Sequence, residues 1–170
     1  VAQDAGHGGA ASPYAGLEAR RVKALSPERE KGLEAGAGLG YAMAAELNGH
    51  AGPRHVLDLG AELGLSAGQR AAVAESFERM RSEALRLGGE ILAVEGELDR
   101  RFAHRHLDEA MLAELTRRSG ELEGRLRFVH LRAHLETDAL LTPEQKTRYL
   151  ELRGYGAGHG AAPDAHRHGD

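Results

Sequence analysis

The sequence predicts an all-α protein: a long antiparallel helical hairpin with shorter N-terminal helices, a short C-terminal helix and disordered tails. Three observations predict it. Ala, Leu, Glu and Arg dominate the chain, and all four are strong helix formers. Aromatic residues make up only 4 % with no Trp, too few for a compact β-rich fold. Apolar residues recur in alternating steps of four and three along two stretches. The first is Val73, Phe77, Met80, Ala84, Leu87, Ile91, Val94, Leu98; the second is Leu112, Leu115, Ser119, Leu122, Leu126, Val129, Ala133. Such runs are heptad seams. The break between them, His104 to Asp108, is short, so the two helices must be antiparallel neighbours spanning residues 66–140.

Residues 1–13 are rich in Gly and Ala around His7, and lack the apolar surface that offsets ordering entropy. The same reasoning predicts a disordered Gly/His-rich tail over 154–170, leaving one helical domain over 14–153. Residues 14–25 form a short amphipathic segment. Ser26-Pro27 supplies an N-cap and a proline at the first helical position, and the helix it opens is expected to reach Leu47, before Asn48-Gly49 and Pro53. Its middle, Gly36-Ala37-Gly38-Leu39-Gly40, costs about 1 kcal/mol per Gly relative to Ala, so it needs a closely packed neighbour. A short helix over 54–63 precedes the hairpin. Beyond Arg125 the second hairpin helix gains another apolar stripe, Phe128, Leu131, Leu135 and Ala139, roughly opposite the first. A helix apolar on two sides is covered on two sides, here by the hairpin partner and by either the N-terminal helices or a second protomer.

Thr142 caps the last helix, which runs to about Leu152. Pro143 presets its first turn, and Gln145 can reach back to the Thr142 N–H, a capping box. Leu65-Ser66-Ala67-Gly68-Gln69 repeats the arrangement at the start of the hairpin. These two segments carry a resemblance. Leu141-Thr142-Pro143-Glu144-Gln145 intact, and Leu65 to Gln69 with Ser for Thr, resemble the LTxxQ motifs of the Spy/CpxP family of periplasmic chaperones and its metal-handling relatives ZraP and CnrX. The resemblance covers roughly residues 57–153. The part before it, from Ser12-Pro13-Tyr14 to Glu46-Leu47-Asn48-Gly49, is similar to bacterial proteins described as Spy/CpxP-like or heavy-metal-resistance proteins. The resemblance implies a helical, dimeric, ATP-independent periplasmic protein of metal resistance or envelope stress. It leaves open a metal binder or a holdase for unfolded client proteins. A start at Val1 rather than Met is what removal of a signal peptide would leave.

Ten histidines give the candidate site. His130 and His134, spaced i, i+4, project from one helix face within reach of one ion. With a carboxylate or a third imidazole they would suit Zn, Cu, Ni or Co as divalent ions. Glu46 and His55 are the expected completing ligands, with His50 a further candidate. The alternative is that both imidazoles flank a packed seam and hydrogen-bond locally. Leu131 occupies the Glu position of HExxH, which disfavours a zincin protease. His104 and His106 alternate at the turn and share no helix face. His159, His166 and His168 would bind metal only loosely from a tail.

Other classes are disfavoured. A net charge of −4 with interspersed signs does not suit a nucleic-acid partner. Cysteine is absent, which removes thiolate chemistry. No strand precedes the Gly36 to Gly40 run, so it is not a dinucleotide loop, and no nucleophile elbow, P-loop or carboxylate pair points to an enzyme. A membrane sensor or efflux component is the remaining class of partner expected beside a homodimer.

Overall fold

The computed structural model describes residues 11–155, and the rest of the predicted tails, with His7, His159, His166 and His168, lies outside the described residues. Among the described residues there are helices and turns but no strand. Two helices make the frame: α4, Ala67–Ala103, and α5, Glu109–Leu140, packed as the expected hairpin. Before them come a 3-10 turn at Leu17–Ala19 and the short helices α1 (Pro27–Glu34), α2 (Met43–Glu46) and α3 (Pro53–Asp58); α6 (Pro143–Leu152) follows. Among these residues no helix is long and apolar enough to cross a membrane.

The hairpin forms where the seams predicted it. Val73, Ala84, Leu87, Ile91 and Val94 of α4 are buried, as are Leu122, Leu126, Val129 and Ala133 of α5. Asp108 caps α5 by accepting from the Met111 N–H at 2.8 Å, and Arg105 turns the chain with a φ of 55°. Flanking charges pair across the helices, Arg132 with Glu83 at 2.7 Å and Arg79 with Glu136 at 3.0 Å.

The two capping boxes form, and they also meet. The Ser66 and Thr142 hydroxyls each accept from the N–H three residues on, and the backbone N–H of each donates to the side-chain oxygen of Gln69 or Gln145. The Gln69 and Gln145 amides then bond one another at 2.8 and 3.1 Å. Gln69 also donates to the Leu140 carbonyl and Gln145 to that of Leu63. The motif pair thus ties the starts of α4 and α6 to the end of α5, beside a second core of Val56, Leu63, Val73, Leu141 and Tyr149.

Three N-terminal expectations are corrected. The helix expected from Pro27 to Leu47 is interrupted: α1 stops at Glu34 and helix resumes only at Met43. Gly36 and Gly40 have φ of 63° and 77°, a left-handed region that glycine enters without penalty, so the Gly-rich run is a turn rather than a packed helix interior. Residues 14–25 form only the 3-10 turn, with Val22 and Leu25 inserted into the hairpin core. The helix after Pro53 ends at Asp58, short of 63. At the other end, Tyr155 was placed in the tail but is docked, its hydroxyl donating to Glu46 at 3.0 Å.

The N-terminal elements cover the hairpin flank carrying Gly88, Glu123, His130 and His134. They leave the second stripe of α5 open: Phe128 and Leu135 are each 60 % exposed. Arg132 lies over the Phe128 ring, 5.4 Å from its centroid.

Candidate functional site

The interruption of the N-terminal helix builds the site. Because the chain turns at Gly36 to Gly40, it passes over α5 and then returns through Gly52-Pro53, enclosing a cavity of about 290 Å³. Ala35, Gly36, Ala37 and Gly38 form one wall, and their small side chains leave the space open. His130 and His134 of α5, His55 of α3 and Met80 of α4 line the rest, with Arg54 and Arg81.

His134 is fixed from two sides. Its Nδ1 lies 2.9 Å from the His50 carbonyl, which can only accept, so Nδ1 carries the proton and Nε2 keeps its lone pair. A Cβ on residue 52 would come within 2.7 Å of that Nε2, so only glycine lets the ring sit there. His130 is 3 % exposed and stacks on Tyr41, with centroids 5.9 Å apart and planes 10° apart. The Tyr41 hydroxyl donates to Glu123, and Arg29 donates to both Tyr41 and Glu123. The Nε2 of His130 is buried without a hydrogen-bond partner.

Burial, then the neighbouring His134, holds the His130 pKa below the ordinary histidine value; burial, then Arg153, does the same to His55. A neutral folded imidazole contributes stability that is complete above the unfolded pKa of about 6.5 and is lost as pH falls toward the lower folded value. With a chelator present, lowering the pH from about 8 to about 5 should therefore destabilise the wild type more than His130→Phe, measured by urea unfolding. Equal slopes would remove this account of His130.

Glu46 is placed differently from a free ligand. It approaches His134 only on the Nδ1 side, at 3.8 Å, and does not line the cavity. Its carboxylate accepts from Tyr149 at 2.9 and 3.0 Å, from Arg153 at 3.2 Å and from Tyr155 at 3.0 Å. His50 Nδ1 lies 3.5 Å from Asp138, which Lys146 also pairs at 2.8 Å. His104 and His106 are exposed at the hairpin turn and do not line the cavity.

The structure thus brings His55, His130 and His134 to one cavity and leaves Glu46 behind His134. Among the described residues, no group of three or more His, Asp or Glu side chains is already gathered to hold a metal. Met80, Arg54, Arg81 and Tyr41 were missed by sequence reasoning. Met80 was visible only as a seam residue, and the cavity could not be foreseen while the Gly-rich run was read as helix. Compared with family models, curated proteins and solved structures, the chain matches none.

Proposed function

We propose that the protein is a non-enzymatic metal-binding protein of the bacterial periplasm, of the heavy-metal-resistance or envelope-stress type. His130, His134 and His55 would hold one transition-metal ion, drawn from Zn, Cu, Ni and Co. The observation that carries the reading is that His55, His130 and His134 line one cavity, with the His130 Nε2 buried without a hydrogen-bond partner and the His134 Nδ1 bonded to the His50 carbonyl. A buried ring nitrogen without a partner is costly, and a bond to an ion would offset that cost. The His50 carbonyl on the far nitrogen of His134 is the outer bond that orients a metal-binding imidazole. Glu46 supports that ring and the fold around it rather than binding the ion.

Calorimetric titration with each ion tests the reading. Wild type should bind one equivalent, and His130→Ala/His134→Ala should bind at least about tenfold more weakly. Equal affinities would overturn it.

A second reading, an ATP-independent holdase, is favoured by the open stripe of Phe128 and Leu135, since exposed apolar surface marks binding faces. Suppression of client aggregation with metal chelated, reduced in Phe128→Ser/Leu135→Ser, would support it; no suppression by wild type would sink it. The same stripe is the candidate contact face for a homodimer or for a membrane sensor or efflux component.

A further inference from the structure

We infer that the cavity is selective for cuprous copper, with the Met80 thioether as a ligand beside the histidines. The inference rests on the metal reading and narrows it to one ion in one oxidation state.

The donors in the wall are all neutral. His55, His130 and His134 offer imidazole nitrogens, and Met80 offers the only sulfur among the lining residues. Among the described residues no Asp or Glu lines the cavity, and the charged residues that line it are Arg54 and Arg81. Glu46 stands on the Nδ1 side of His134 and is committed to Tyr149, Arg153 and Tyr155. A dication entering this wall would find no carboxylate lining it to offset its charge, an arrangement Coulomb's law disfavours. A monocation carries half that penalty.

Ligand softness points the same way. Thioether sulfur is a soft donor that suits Cu(I), whereas hard or borderline dications favour carboxylate, water and imidazole. Zinc sites built from protein alone close with four ligands. Cu(I) is content with two or three, which a pair of imidazoles and one thioether supply.

The test is an anaerobic titration of the full chain with Cu(I), in competition with a chromogenic Cu(I) chelator, run in parallel with Zn(II). Wild type should hold Cu(I) at least about tenfold more tightly than Zn(II). Met80→Leu keeps the side-chain volume, so the fold should tolerate it. It should lose at least about tenfold in Cu(I) affinity while its Zn(II) affinity stays unchanged. X-ray absorption of the wild-type Cu(I) complex should show sulfur in the ligand shell, a readout that needs no variant to fold. Nitrogen ligands alone, or equal Cu(I) affinity in Met80→Leu, would overturn the copper assignment. Tight Zn, Ni or Co binding lost in His130→Ala/His134→Ala, with no preference for Cu(I), would overturn it while leaving the metal reading standing. Undiminished binding of every ion in that double variant would remove both.

Discussion

Alanine at position 88 should destabilise the protein by about 1–3 kcal/mol, while alanine at position 89 should stabilise it by up to about 1 kcal/mol. Both residues lie inside α4, where glycine is the poorer helix former, so propensity alone predicts a gain at each. The difference lies in what each faces. A Cβ at 88 would come within 2.3 Å of the Leu33 carbonyl oxygen and 3.0 Å of its carbon. That obstacle is backbone, and it cannot rotate aside as a side chain would. A Cβ at 89 meets nothing within 4 Å. Gly88 is thus the notch into which the end of α1 settles, and Leu33 is fully buried there. Filling the notch should lift α1 and with it Arg29, which braces the Tyr41–Glu123 pair over His130. Denaturant unfolding of the two variants measures the signs, and tyrosine fluorescence reports whether Tyr41 has moved. A stabilised Gly88→Ala would show that α1 does not pack against α4 in this way.

The same contrast explains what could be read from the chain and what could not. The hairpin was legible because heptad spacing is a local property, and each seam residue from Val73 to Val94 and from Leu122 to Ala133 has only one way to be buried. The caps were legible because Ser66 and Thr142 act within one turn. That Gln69 and Gln145 bond each other was not, since it depends on how α6 returns to the start of α4. The Gly36 to Gly40 run was misjudged for a related reason. Glycine in a helix and glycine in a left-handed turn look alike in sequence, and only the packing of Leu33 and Tyr41 decides between them. At the site, His130 and His134 were visible from their spacing, but the carboxylate expected beside them was not free. Glu46 carries no local signal that Tyr149 and Tyr155, more than a hundred residues away, will occupy it.

Glu46→Ala should cost about 3 kcal/mol in the metal-free protein, more than any effect it has on ion binding. Tyr149 has no exposed surface, and its hydroxyl donates to the Glu46 carboxylate. Removing that carboxylate leaves a buried hydroxyl without an acceptor and deprives Arg153 of its anionic partner, while Tyr155 loses its anchor. Tyr149→Phe removes one donor and leaves Arg153 and Tyr155 in place, so it should cost only about 1 kcal/mol. Glu46→Gln keeps an acceptor oxygen and should fall between the two. A ligating Glu46 would give the opposite pattern: little change without metal, and a stability deficit that appears only when the ion is added. Unfolding curves of the four proteins, each with a chelator and with one equivalent of ion, separate the cases. A metal-dependent deficit in Glu46→Gln alone would return the carboxylate to the ligand set and remove the anion-free cavity on which the preference for a monovalent ion depends.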